Sequence, residues 1–250
     1  MTARAVPDFP IIRTVGLSGM IVTFADGLSE PSNRATLAFR NHLEQLKWDG
    51  VLETSTSLAS VYIRFDPGDV DHDRLRTQLQ EQLDSRNWLQ EALPLGRRFW
   101  RVPTVYGTDL APQLAEAADA AGLSESQAIE NLGAARVRVL TIGFAPGQPY
   151  LGPLGEEWDL PRQTELTPRV PRGALVLAIR QFVLFSAETP TGWRHVGQTG
   201  FMLFRPHSDR PFALQAGDEL QFEPVSRSDF LKLRDRDEHM GGAMSQEIPA

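Results

Sequence analysis

The sequence predicts an α+β chain: a small ferredoxin-like α/β domain over residues 1–94, a β-barrel domain over 97–226, and a charged, partly disordered tail over 227–250. Three observations carry this expectation. Two helical patterns lie among four short strand patterns before Pro94. After Pro94-Leu95-Gly96 the chain changes to short β segments separated by Gly/Pro turns. Beyond Val225 it becomes charged (Arg234-Asp235-Arg236-Asp237-Glu238) and then small (Gly241-Gly242-Ala243-Met244-Ser245).

In the first domain Ile11–Val15 reads as a strand, Gly16–Gly19 as a turn, and Met20–Phe24 as a second strand stopped by Ala25-Asp26-Gly27. Ser29-Glu30-Pro31-Ser32 caps a helix over about 33–46, with proline in its first turn. Ala35, Leu37, Ala38, Leu43 and Leu46 share one face of it. Strands follow over 50–56 and 58–65, then the turn Asp66-Pro67-Gly68 and a second helix over about 74–83. Asp71-His72-Asp73 invites a reading as metal ligands, but adjacent side chains diverge, and acids at a helix start favour the macrodipole. The triplet reads as a cap and the domain as scaffold or interface.

In the second domain Arg98–Tyr106 reads as a strand and 109–121 as a helix with Leu110, Leu114, Ala117, Ala118 and Ala121 on its apolar stripe. Ser124-Glu125-Ser126-Gln127 forms a capping box that opens another helix to about Asn131. Strands are expected near 137–142, 173–179, 181–187, 193–196, 200–204 and 218–223. Six or more short strands with Gly/Pro turns predict a closed or nearly closed barrel.

Between two of these strands, residues 143–169 hold five prolines and four glycines, and both arginines there follow proline. Gly143, Pro146, Gly147 and Pro149 fix the backbone, and long rigid loops on a β scaffold concentrate function. Arg162 and Arg169 are placed to face one anion, or else to pair with Glu156, Glu157 or Glu165. His195 shares a strand face with Trp193, two residues away, and is either a site residue or a half-buried histidine satisfied by a carbonyl. Gln148, Tyr150, Gln181 and Gln198 complete an amide-rich set suited to recognising amide groups rather than to proton transfer.

Composition excludes several classes. A net charge of −7 and a pI near 5.3 leave no electrostatic footprint for nucleic acid. There is no cysteine, hence no disulfide, thiolate metal site or cysteine nucleophile. The histidines at 42, 72, 195, 207 and 239 show no metal-ligand spacing, so no metal site is expected. No P-loop, no GxGxxG after a strand and no GxSxG elbow occurs. No apolar run has the length of a signal peptide or membrane span, so a cytoplasmic chain without a membrane partner is expected.

The stretches GFAPGQPYLGPL (143–154), LPRQTELTPRVPRGALVLA (160–178), ETPTGWRHVGQT (188–199) and ALQAGDELQFEPV (213–225) resemble the KipI / allophanate hydrolase subunit 1 family, of carboxyltransferase subdomain C/D type. Its better-defined members are read as the B component of the ATP-dependent bacterial 5-oxoprolinase. Phe9-Pro10, Phe65-Asp66-Pro67 and Val102-Pro103 extend the likeness over nearly the whole chain. The resemblance implies a cyclophilin-like β-barrel after the α/β domain. It implies a KipA-like partner chain, the C component, together with an A component, in a heteromeric complex that opens 5-oxo-L-proline to L-glutamate. ATP with magnesium is implied for the complex, with no nucleotide signature in this chain.

The same resemblance implies a pocket shared with the KipA-like partner. Of the residues singled out above, Arg162, Arg169 and His195 are the candidate catalytic groups there, and Gln148, Tyr150, Gln181, Trp193 and Gln198 are the candidates for binding a small amide or lactam. It also implies alternatives: a KipI-type regulator of a sensor histidine kinase, or a component of allophanate hydrolase or urea carboxylase type. This chain departs from the family pattern at Gln148 (usually phenylalanine), at Thr191 within PTGW and at Gln198 within GQT, which marks it as a divergent member.

Overall fold

The computed structural model describes residues 8–249, and the chain divides after Pro94 into two compact units. The first unit comprises β1 (Ile11–Val15), β2 (Gly19–Thr23), α1 (Glu30–Leu46), β3 (Val51–Thr56), β4 (Ser60–Phe65) and α2 (His72–Asp84). Its sheet is antiparallel throughout, in the order β1-β2-β4-β3. A ferredoxin-like unit runs βαββαβ; here the strand that would come last comes first, and the spatial order is kept.

Alternating residues of β2 and β4 (Met20, Val22, Val61, Ile63, Phe65) meet Phe39 of α1 and Leu75 and Leu79 of α2 in one core. The expected caps form. Ser29 and Ser32 exchange hydrogen bonds as a capping box, and Asp71 Oδ1 accepts from Arg74 N at 2.7 Å. His72 packs edge-on to Phe65 with centroids 4.8 Å apart.

The second unit contains β5 (Arg98–Tyr106), α3 (Leu114–Ala120), α4 (Glu125–Ala134), β6 (Arg136–Ile142), β7 (Pro149–Gly152), β8 (Thr167–Val170), β9 (Ala174–Ala178), β10 (Gln181–Leu184), β11 (Thr189–Thr191), β12 (Arg194–Thr199), β13 (Glu219–Pro224), α5 (Arg227–Arg236) and β14 (Met244–Glu247). Seven strands close a barrel in the order β5-β12-β9-β10-β7-β6-β13 and back to β5. Only the β13–β5 pairing in this ring is parallel. β5 is long enough to serve three partners. β13 runs along one edge, while the other edge gives residues 104–106 to β12 and 98–101 to β14.

The barrel interior is filled by Val137, Val139, Leu151, Leu175, Leu177, Phe182, Leu184, Val196, Leu220 and Phe222, among others. β9 is buried on both faces, because Ala174, Val176 and Ala178 point outward into a second cluster with Val183, Phe185, Trp193 and Val170 of β8. The small β8–β11 pair thus lies over the outside of β9 and β10. Burial on both sides is why this strand is an unbroken apolar run rather than an alternating one.

Several expectations need correction. Residues 143–169 are not one loop: Pro149–Gly152 is a barrel strand and Thr167–Val170 belongs to β8. Four residues are too few to display alternation, and proline is tolerated at a strand's first position. The turn expected at 189–192 holds β11. The strand expected at 200–204 does not form, although Phe201 and Leu203 enter the core from irregular backbone. The helix expected from Asp109 starts at Leu114, after Pro112 and without a side-chain cap. The tail is ordered through α5 and β14: Phe230 is buried, and β14 pairs with β5. Its charge is the solvent side of a helix anchored by one apolar residue.

Candidate active site

One end of the barrel carries a cleft of about 1120 Å³. Its wall is assembled from distant stretches: Asp109 after β5, Arg169 of β8, Arg172 and Gly173 before β9, Ser186 and Glu188 after β10, His195 and Gln198 of β12, and Arg234 of α5.

His195 and Gln198 are three residues apart, a spacing that puts side chains on opposite faces of a regular strand. β12 is not regular. His195 pairs with Val176 and Gly197 with Leu175, so one extra residue is inserted between them. This bulge turns Val196 into the barrel core and leaves both His195 and Gln198 in the cleft wall. Glycine is required beside it, since a Cβ on Gly197 would stand 2.9 Å from Thr104 Cγ2 and 3.4 Å from Leu175 Cβ.

His195 is 4% exposed. Its backbone N–H donates to Gln113 Oε1 at 2.8 Å and its carbonyl accepts from Gln113 N at 3.1 Å, so one residue brackets it from both sides. Nε2 has no hydrogen-bond partner. Burial pulls the imidazole pKa down, against a weaker opposite pull from the Gly197 backbone and the Gln198 side chain. The ring is therefore neutral at pH 7.

Gln198 Nε2 donates to the carbonyls of Arg172 (2.9 Å) and Thr199 (3.1 Å). These two acceptors determine which end of the amide is nitrogen. They leave Oε1 buried and unpartnered, as is Ser186 Oγ. Three orphaned polar atoms in one wall need an explanation, because buried polar groups are nearly always satisfied. At the rim, Arg169 pairs with Glu188 at 2.7 Å, whereas Arg172 makes no ion pair among the described residues.

The structure brings Arg169, His195 and Gln198 together. It does not bring Arg162 to them: its guanidinium stacks over Trp193, 5.3 Å from the ring centroid. The expected convergence of Arg162 and Arg169 on one anion is therefore absent. The ion pair that Arg169 does make uses Glu188, not Glu156, Glu157 or Glu165. Trp193 and Tyr150 meet edge to face at 6.3 Å in the cluster outside β9 and β10. Gln148 is buried in the β6–β7 connection with Oε1 unpartnered, and Gln181 is buried at the start of β10. Gly143, Pro146, Gly147 and Pro149 shape that connection, in which Gly143 N donates to Gln148 O and Gln148 N to Ala145 O.

Arg172, Gln113, Ser186 and the α5 wall escaped the sequence reading. Arg172 carried a usable signal: Pro171-Arg172 is a third Pro-Arg pair after Pro161-Arg162 and Pro168-Arg169. Gln113 and Ser186 carried none. Among the described residues no group of three or more His, Asp or Glu could hold a metal ion, and no helix is long and apolar enough to cross a membrane.

The fold is a closed seven-stranded barrel following a four-stranded α/β unit, and the family model that matches it is of the carboxyltransferase class. Residues 10–214 match the carboxyltransferase domain family, subdomains C and D, and the chain belongs to that family. It is 28% identical over 229 residues to the 5-oxoprolinase B subunit of Bacillus subtilis (strain 168), covering 88% of this chain and 94% of that one. To the 5-oxoprolinase B subunit of Escherichia coli O157:H7 it is 40% identical over 134 residues, 54% of this chain and 62% of that one. The crystal structure of TTHA0988 superposes with a TM-score of 0.71 at 28% identity. That match covers 86% of this chain and 40% of TTHA0988, so the present fold spans less than half of that longer protein.

Proposed function

We propose that this chain is the B component of an ATP-dependent hydrolase complex that opens a small cyclic amide of the 5-oxoproline class, acting with a KipA-like C component and an A component. The observation that carries the reading is the pairing of two buried, unpartnered atoms, His195 Nε2 and Gln198 Oε1, in one cleft with arginines at its rim. The relatives named as the B subunit of 5-oxoprolinase support the role of this chain within a complex.

A lactam presents an N–H donor, a carbonyl and, in 5-oxoproline, a carboxylate. Gln198 Oε1 accepts the N–H, since its own amide nitrogen is already committed to two carbonyls. Arg172, which has no acidic partner among the described residues, receives the carboxylate. His195, held neutral by burial, offers Nε2 to a proton that must move as the ring opens. ATP with magnesium, bound at the level of the complex, would supply activation of the carbonyl oxygen. The chain's own part is to orient the ring and to hold His195 Nε2 where a proton from the attacking water can be received.

The test is co-expression with A- and C-component chains from the same source, purification of any complex, and ATP turnover with and without 5-oxoproline. Turnover should rise with 5-oxoproline. Gln198→Leu should raise KM, while His195→Asn should lower kcat by about 10²–10⁴-fold. Turnover indifferent to 5-oxoproline, or variants that behave as wild type, would reject the reading.

A further inference from the structure

β5 leads from one cleft to another. Beyond its C-terminal end lies Asp109 of the site above. Its first residues, Arg98 and Trp100, line a second cleft of about 580 Å³ together with Arg205, Arg210, Phe212 and Asp218. We propose that this second cleft binds a small phosphorylated anion, with Arg205 and Arg210 as its ligands, Arg98 adding positive charge at the floor, and Phe212 as a flat wall for the organic part.

The cleft carries unused positive charge. Arg97 and Arg136 share Glu219 as counter-ion and Arg98 lies over the Trp100 ring, 5.2 Å from its centroid, but Arg205 and Arg210 form no ion pair among the described residues. Arg205 is the clearest case. Its Nε is buried without a partner, Nη1 meets only the thioether of Met240 at 3.8 Å, and Nη2 reaches the Arg210 carbonyl at a long 3.5 Å. A guanidinium keeps its charge at any accessible pH and carries five donors. This one is held in a cleft wall with most of them unfilled.

The acids nearby do not neutralise it. Asp218 is buried and its oxygens already accept from Arg98 N (2.8 Å), Gln215 N (3.2 Å) and Trp100 Nε1 (3.3 Å). It braces the cleft floor, burial pushing its pKa up against these three hydrogen bonds and the Arg98 charge, and its acceptor capacity is largely spent. Glu247 stands opposite Arg98 in the β14–β5 register and is exposed, without an ion pair among the described residues. Three guanidinium groups facing two carboxylates favour an added anion, and one with more than a single charge and several acceptor oxygens. A phosphate monoester or pyrophosphate meets both conditions through forked contacts.

The ligands are already positioned. Phe204 and Phe212 bridge and stack, with centroids 5.1 Å apart and planes 26° apart. Arg205 N donates to Pro211 O at 2.7 Å across the loop between them. The loop therefore holds Arg205 and Arg210 on one side of a closed ring-stacked base. Phe212 is 52% exposed, leaving a ring face for a planar substituent.

The experiment is calorimetric titration of the full chain with pyrophosphate, then with inorganic phosphate, at fixed ionic strength. Saturable binding of pyrophosphate is expected. Arg205→Met should weaken it at least 10-fold, and Arg210→Gln, on an exposed loop that tolerates the change, should weaken it in the same direction. Arg172→Met, in the His195 cleft, should leave it unchanged. Binding that survives both Arg205→Met and Arg210→Gln, binding lost on Arg172→Met instead, or no saturable binding would overturn the proposal. The outcome is independent of whether 5-oxoproline is the substrate, since no lactam or partner chain enters the measurement.

Discussion

His195 is the residue where burial, geometry and titration meet. Its ring is pressed into a wall that disfavours the charged form, while Gln113 secures its backbone on both sides. The folded imidazole therefore has a pKa below its ordinary 6.5. When pH falls through that value, the unfolded chain takes up a proton that the folded chain refuses, so this group removes stability as the solution is acidified. His195→Gln abolishes the effect. Thermal melts at about pH 7.5 and 5.5 should show the wild type losing more Tm than the variant on acidification; equal losses would refute a buried neutral ring. His195 and Gln198 were legible because they sit together in one recognisable segment. Arg162 was misplaced because an indole competes with an anion for a guanidinium, and sequence spacing does not reveal which of the two lies nearer.

At the scale of the element, the β12 bulge is the device that makes the site. One inserted residue brings His195 and Gln198 to the same wall, and Gly197 lets the backbone pass Thr104. Gly197→Ala should cost about 1–3 kcal/mol through the clash with Thr104 Cγ2. Adding Thr104→Ser, which removes that methyl and keeps the hydroxyl that donates to Val102 O, should restore part of the loss. Chemical denaturation of the single and double variants measures this; additive losses would show that the close approach is not the cause.

The bulge itself was invisible in the sequence, because a register shift depends on the neighbouring strand. β9 and β10 were readable as continuous apolar runs. β7 was hidden by its proline and its brevity, and α5 by a surface that is charged except at Phe230.

For the whole molecule, the two units and the barrel were legible from the change in pattern near Pro94 and the succession of short strands. The closure was not, since it depends on which distant strands share β5. β14 matters here, because it covers the edge of β5 that β12 leaves free. Stopping the chain after Ala243 should expose Arg98–Arg101 as an open strand edge. The truncated chain should melt lower, by about 2–4 °C for each kcal/mol lost, and associate with increasing concentration in light scattering. A truncated chain that melts as the full one and stays monodisperse would show that β14 is ornamental.

The central place of β5 has a further consequence at the ribosome. It is the first strand of its unit to be made, yet β12, β13 and β14 all come later, the nearest of them only after α3, α4 and six other strands have emerged. The nascent chain must therefore carry Phe99, Trp100 and Val102 with both strand edges bare through most of the synthesis of their unit. Lesions far downstream, even ones that leave the cleft intact, would then act first on the yield of folded protein.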